Sequence, residues 1–267
     1  MKKVKFSVVI PTYNEANCIE LTLKKIIEYF KSLNCDFEII VSDDGSTDST
    51  CEVVSKFINS HLEFDIKLLR NKHKGKGEAV KIGMLECKGD YSLFLDADFS
   101  VDIKEFDKFL YYVGNNEDVI IGSRRTKGAK ILLHQPFVRE FMGKVYTFLS
   151  NLILTTNYSD FTCGFKCFSK EATKKIFSKQ KVSNWSFDSE ILYLAQKLGF
   201  EVKEVGIEWR NSPNTKVRLL KDAVVSMLSL LYIGWRYNEK FRKTIFVILC
   251  SLFILVCLLY LKSKIKF

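Results

Sequence analysis

The run SLFLDAD at residues 92–98 limits the possible folds more than any other stretch, because unbroken apolar residues stop abruptly at two carboxylates, Asp96 and Asp98, with only Ala97 between them. A strand with no polar alternation is buried on both faces, the habit of parallel sheets covered by helices. Its far end then lies at the carboxyl edge of the sheet, where open α/β sheets bind ligands. Two acids one residue apart repel each other, so the pair is stable only where water solvates both or a divalent cation lies between them. A hard cation that also carries phosphate oxygens meets the second condition.

The same arrangement recurs along the chain. Residues 6–10 form an apolar run that breaks into PTYNE, after which Ile19, Leu23, Ile26, Ile27 and Phe30 follow helical spacing. In that loop Tyr13 offers a face for a flat ring and Glu15 an acceptor for ribose or base donors, although turn and cap chemistry suits both equally. Residues 37–41 make a second strand, ending in SDDGSTDST. Asp43 and Asp44 fall where that strand stops, Gly45 permits a left-handed turn, and Asp48 is placed to cap the next helix. After a third strand at 66–69, Lys72, Lys74 and Lys76 alternate with Gly75 and Gly77 at a helix entrance, a setting that favours phosphate. No third glycine follows at the dinucleotide-binding offset, which disfavours a Rossmann dehydrogenase. A helix near 103–113 leads to a fifth strand at 119–121 that ends in GSRR, bringing Arg124 and Arg125 to the rim that bears the acids. Strand alternating with helix predicts an α/β fold with a mostly parallel sheet and its loops on one rim.

A formal charge of +10 admits nucleic acid, anionic lipid or phosphorylated substrates. With no arginine-rich tail, zinc-finger spacing or aromatic RNA-binding strand, nucleic acid is the weakest of the three. Eight cysteines show no C-x-x-C spacing, and Met1 to Lys5 runs directly into a strand, so free thiols in a reducing compartment are expected. Residues 244–261, TIFVILCSLFILVCLLYL, carry no charge and predict a transmembrane helix. Lysines and arginines flank that segment on both sides and do not orient it. Residues 137–154 and 219–237 mix aromatic and aliphatic residues with basic ends, the pattern of helices lying in a lipid headgroup layer. Cys163 and Cys167 read as small core residues.

PTYNE, DDGSTD, GKG and DAD in this order resemble the GT-A glycosyltransferases of family 2. GSRR, DFTCGFKCF at 160–168, WSFDSEILYLA at 185–195 and EVGIEW at 204–209 are similar to the polyprenyl-phosphate sugar synthases, most closely the dolichyl-phosphate glucose synthases. The resemblance implies a GT-A catalytic domain at 1–217 with an interfacial helix at 137–155, an amphipathic juxtamembrane helix at 218–243 and the transmembrane helix at 244–261. It implies that Pro11, Tyr13 and Glu15, with Asp44 and its neighbour Asp43, hold the nucleoside. Lys76, Asp96, Ala97 and Asp98 then face the sugar diphosphate, with Asp96 and Asp98 toward Mg²⁺ or Mn²⁺ and Asp98 as the direct ligand. Arg124, Arg139, Arg210 and Lys216 match basic positions that bracket the donor diphosphate and acceptor phosphate, and Asp188 stands where related transferases place a base.

Phe99 and Ser100 stand where mannose synthases commonly carry a glutamine, which weakens a mannose assignment. Close glucose-type relatives often carry an amino-terminal anchor, whereas the apolar segment here is carboxyl-terminal. The expected activity is inverting transfer of glucose from UDP-glucose to dolichyl or another polyprenyl phosphate at a bilayer. The catalytic domain is expected on the cytosolic side of an endoplasmic reticulum or prokaryotic plasma membrane. GDP-mannose, another UDP-sugar, a silent sugar-nucleotide-binding subunit and a soluble transferase remain the alternatives.

Overall fold

The computed structural model describes residues 5–212, 219–247 and 251. Five strands and the helices between them appear where the apolar runs predict: β1 (Lys5–Thr12), α1 (Ile19–Ser32), β2 (Asp36–Asp43), α2 (Thr50–Ser60), β3 (Ile66–Arg70), α3 (Lys76–Leu85), β4 (Tyr91–Leu95), α4 (Asp107–Gly114) and β5 (Val119–Ser123). The helix expected near 103–113 begins as a tighter 3₁₀ turn, Ile103–Phe106, whose Lys104 amide donates to the capping Asp102 carboxylate at 3.0 Å. The second half carries β6 (Lys130–Leu133), α5 (Phe137–Leu154), β7 (Phe165–Ser169), α6 (Lys170–Phe177), α7 (Phe187–Lys197), β8 (Val202–Gly206), β9 (Glu208–Arg210) and α8 (Leu219–Tyr237).

Seven strands form one sheet in the order β3-β2-β1-β4-β7-β5-β8, and β6 pairs with β9 in a small separate ribbon. Neighbouring residues of each central strand serve opposite faces. Val8, Ile10, Ile39, Val41, Leu93 and Leu95 pack with α1 and α4, while Val9, Ile40 and Phe94 pack with α3, α6 and α7. Both faces are therefore covered, which is why these strands read as continuous apolar runs.

One strand breaks the parallel order. β7 runs antiparallel to both β4 and β5, with Leu95 opposite Phe165 and Ile121 opposite Lys166. Reversal brings the loop that precedes β7, residues 160–164, to the same rim as the loops that follow β1, β2, β4 and β5. The DFTCG stretch thereby meets the acidic pair.

Among the described residues no helix is long and apolar enough to cross a membrane. A helical stretch at 239–247 enters the segment expected to span the bilayer, and the rest of 244–261 apart from Ser251 lies outside the described residues. Lys216 lies outside them as well.

Candidate active site

The two acids at the end of β2 have different tasks. Asp43 is buried and turned into its own loop: its carboxylate accepts the Gly45 and Ser46 amides at 3.1 and 2.9 Å and the Thr12 hydroxyl at 3.0 Å. It does not line the cavity described below. Asp44, also buried, reaches the loop after β3, accepting the Lys74 and Gly75 amides at 2.8 and 2.9 Å and pairing with His73 Nδ1 at 2.8 Å. His73 in turn stacks on Tyr13, centroids 4.3 Å apart. Gly75 takes φ +111°, and a side chain there would meet the Ser183 carbonyl at 2.6 Å, so only glycine lets the lysine loop approach this closely. Asp48 accepts the Thr50 amide at 2.9 Å and the Ala16 amide at 3.2 Å, tying the first two loops together.

The acidic pair follows β4. Asp96 Oδ1 lies 2.5 Å from the Lys76 ammonium, and the bare α-carbon of Gly164 makes room for the carboxylate. The Ala97 carbonyl is held by the Thr22 hydroxyl at 2.9 Å, and Asp98 Oδ1 accepts the Ser100 amide at 3.1 Å. Between those two, Phe99 adopts φ +58°, with the Lys25 ammonium 4.3 Å above its ring. Left-handed backbone is an outlier for a bulky residue, and such residues cluster where a loop must be held in one shape.

Arginines meet this edge from the other side. Arg124 is clamped by Asp160, Nε to Oδ2 at 2.7 Å and Nη2 to Oδ1 at 2.8 Å, and also donates to the Thr162 hydroxyl at 2.7 Å. Burial opposes both charges, yet mutual attraction overrides it: Arg124 is held above its ordinary range and Asp160 is drawn down to about 2. Arg139 lines the same cavity but has no ion-pair partner among the described residues. Burial and the nearby Arg124 disfavour its charge, while Asp98 favours it. Arg210 is exposed and does not line the cavity, although Trp209 and Asn211 on either side of it do. Strand alternation turns the arginine away, and its backbone amide donates to the Ser100 carbonyl at 2.9 Å.

Asp188 lies in the first turn of α7 behind Ser186, so it is not the helix cap. It is buried against Lys166, Nζ to Oδ1 at 2.5 Å, and still borders the cavity. Glu190 is taken up structurally, accepting the Lys181 and Val182 amides at 2.9 and 2.7 Å and the Tyr237 hydroxyl at 2.8 Å.

These groups surround one cavity of about 890 Å³. At one end lie Pro11, Tyr13, Glu15 and Asp44; Lys76, Asp96, Ala97, Asp98, Arg124, Arg139 and Asp188 occupy the middle. At the other end the walls are α5 and α8, through Phe141, Val145, Val225 and Met227. Both helices bear exposed apolar side chains, Phe137, Phe141, Phe148 and Leu152 on α5 and Val224, Leu228, Tyr232 and Trp235 on α8. They pack closely where Gly234 meets Ile153.

The carboxylates offer hard oxygen ligands of the kind Mg²⁺ and Mn²⁺ prefer. Among the described residues no three histidines, cysteines or acids converge, so a metal at this pair would need further ligands such as water or phosphate oxygens. That donor set fits a metal that arrives with a diphosphate.

Three residues escape a reading of the sequence as separate motifs. Asp160 and Lys166 are partners of site residues 36 and 22 positions away, and Gly164 faces Asp96 only because β7 is reversed. Their common signal is the DFTCGFK stretch, two charges and a glycine within an otherwise apolar run.

Comparison with known proteins agrees with this geometry. Residues 7–177 match the model of glycosyl transferase family 2. The dolichyl-phosphate beta-glucosyltransferase of Dictyostelium discoideum is 31% identical over 242 residues, covering 86% of this chain and 74% of the relative. A dolichyl-phosphate beta-glucosyltransferase of Trichomonas vaginalis, ALG5D, is 32% identical over 228 residues, 81% of this chain and 69% of that protein. Among solved structures, glucosyl-3-phosphoglycerate synthase of Mycobacterium tuberculosis, in complex with Mn²⁺, UDP and glucosyl-3-phosphoglycerate, superposes with a TM-score of 0.64 at 19% identity, covering 86% of this chain and 80% of that one. That likeness establishes the fold, the α/β GT-A arrangement with a mostly parallel sheet.

Proposed function

The chain belongs to glycosyl transferase family 2, and from that premise we propose that it transfers glucose from UDP-glucose to dolichyl or another polyprenyl phosphate, with inversion, at a membrane surface. One observation carries the reading. A single cavity has carboxylates and cations suited to a metal-bound diphosphate in its middle and opens between two helices with exposed apolar faces. A donor that is charged and an acceptor that is charged at its head and apolar in its tail need that combination. The names of the relatives, dolichyl-phosphate beta-glucosyltransferases, support the same acceptor and sugar.

A lipid phosphate is already ionised at neutral pH, its second pKa being about 6, so no strong base is required. Charge is the obstacle: two unit charges about 4 Å apart repel by about 4 kcal/mol at an effective dielectric of 20. Asp98 and Asp96 would hold Mg²⁺ or Mn²⁺, which would supply positive charge to offset the leaving diphosphate. Lys76 adds a cation beside Asp96, and Arg139, with no carboxylate paired to it among the described residues, is available to the incoming phosphate. Arg124, already neutralised by Asp160, shapes the wall and orients Thr162 and Trp209. Asp188 serves as a fixed negative charge that keeps Lys76 in the cavity, since Asp96 and Asp188 together favour the ammonium against burial. Attack from the face opposite the diphosphate gives a β-linked product from an α-linked donor.

The apolar faces of α5 and α8 support docking at a bilayer, and the uncharged residues 244–261 support an anchor there. The decisive experiment incubates the purified chain with labelled UDP- and GDP-sugars and polyprenyl phosphate, then identifies the labelled lipid. Glucose transferred from UDP-glucose in a metal-dependent manner is the expected result. Preference for GDP-mannose, or no lipid product with any donor, refutes the reading.

A further inference from the structure

Lys166 is a lysine with 0% exposure at the second position of β7, on the same side of the sheet as Phe94 and Phe168. Its ammonium reaches two acceptors, the Cys163 carbonyl at 2.6 Å and Asp188 Oδ1 at 2.5 Å, and lies 5.4 Å from the centre of the Phe94 ring. A buried ion pair is a poor way to stabilise a fold, because apolar residues of similar volume generally do as well or better.

We propose that Lys166 is a positioning residue for the transfer reaction: from beneath the cavity floor it keeps the Asp188 carboxylate ionised and aimed at Lys76, so that Lys76 stays in place for the donor diphosphate. This inference rests on the role given to Asp188 above. The geometry is a row of alternating charges, Lys166 and Asp188 in contact, then Lys76 and Asp96 in contact, running from the core to the metal-binding edge. Asp188 needs that support, since burial holds its carboxyl above the ordinary carboxylate range and Lys166 is the largest influence drawing it back down. The charged or titratable groups around it come from five elements: Lys166 on β7, Lys76 on α3, Asp96 after β4, Arg124 after β5 and Tyr146 on α5. Lys76 and Arg124 favour the carboxylate and Asp96 opposes it, but only Lys166 touches it among the described residues.

The test uses the full chain in detergent, with Lys166→Met, Lys166→Arg, Asp188→Asn and the Lys166→Met/Asp188→Asn pair. UDP affinity and transfer rate are measured from pH 6 to pH 9, alongside thermal melting. Lys166→Met is expected to move the acid limb of the rate profile upward, lowering transfer about tenfold on that limb for each unit of the shift. Because the affected carboxyl then ionises at higher pH, the loss shrinks as pH rises. Lys166→Arg keeps the charge and keeps the wild-type profile. Asp188→Asn and the pair both show a low rate without that acid limb, and the pair melts no lower than Lys166→Met, having no lone buried charge.

An unshifted profile in Lys166→Met, while Asp188→Asn is impaired, overturns the positioning role and leaves the proposed reaction standing. Wild-type behaviour of Asp188→Asn overturns the role of Asp188 itself. If Lys166→Met does not fold, the comparison of Lys166→Arg with the pair decides: an arginine variant whose acid limb has moved by a unit or more refutes the inference.

Discussion

Replacing Gly164 by alanine tests the position of the acidic pair with a single methyl group. A β-carbon at this site would sit 2.1 Å from Asp96 Oδ2 and 2.6 Å from its Cγ, with no left-handed backbone to add strain. Favourable contact begins near 3.5 Å, so the carboxylate has to retreat by roughly 1 Å or more. It can do so, because Asp96 is only half-buried and borders a cavity. The fold should survive with little change in melting temperature. Transfer should not, since a misplacement of about 1 Å in a reacting assembly can cost about 100-fold, equivalent to about 3 kcal/mol of lost transition-state stabilisation. The assay is initial rate of labelled lipid formation at saturating Mn²⁺, with the metal dependence recorded in parallel. Asp96→Ala and the Gly164→Ala/Asp96→Ala pair complete a cycle, in which the pair is expected to be no worse than Asp96→Ala alone. A Gly164→Ala enzyme within about threefold of wild type, or a pair whose losses simply multiply, would refute the claim that this glycine acts through Asp96.

Asp98→Ala should lower transfer by about 1,000-fold or more and remove the Mn²⁺ dependence of UDP binding, read by calorimetry with and without metal. Arg124→Ala leaves Asp160 as a lone buried charge and should destabilise the fold by about 3–5 kcal/mol, whereas Arg139→Ala should melt like wild type and lose donor or acceptor affinity. The Asp160 carboxyl is drawn from 3.8 to about 2 by the neighbouring guanidinium, so it contributes about 2 kcal/mol of stability above pH 4 that is lost as pH falls through 2. Denaturant midpoints of wild type and Asp160→Asn at pH 2, 4 and 7 check this, the gap between them being expected to narrow at the acid end. Phe148→Asp with Trp235→Asp should weaken binding to lipid vesicles in a flotation assay while leaving UDP affinity unchanged, and unaltered flotation would remove α5 and α8 from the bilayer interface.

How much of this could be read in the sequence depended on how each contact is encoded. β1, β2, β4 and β5 were legible because a strand buried on both faces needs apolar residues at every position, and their rim was legible because Asp44, Asp96 and Arg124 stand where those runs end. The reversal of β7 was not, since FKCFS places a lysine at its second position and nothing local distinguishes antiparallel from parallel pairing. Pairs made across that reversal, Arg124 with Asp160 and Lys166 with Asp188, were hidden for the same reason. Asp43 shows the opposite failure. Beside Asp44 at a strand end it reads as a ligand residue, yet an adjacent residue on an extended chain faces the other way, and its carboxylate is consumed by Gly45 and Ser46. The same alternation turns Arg210 out beside an inward Trp209.

The reversed strand explains why three residues that support the site fall within seven, DFTCGFK at 160–166. A loop that enters a sheet between two outgoing strands faces both of their ends at once. Asp160 therefore reaches Arg124 at the end of β5, and Gly164 lies beside Asp96 at the end of β4. Two residues further, the strand has crossed into the core, and Lys166 can act on the cavity only from below, through Asp188 on α7. An insertion or deletion within this loop would break all three relations together, because a shift of one residue exchanges the faces of a strand. Substitutions, by contrast, should separate them: losing Asp160 affects stability first, changing Gly164 affects the acidic pair, and changing Lys166 affects the pH profile.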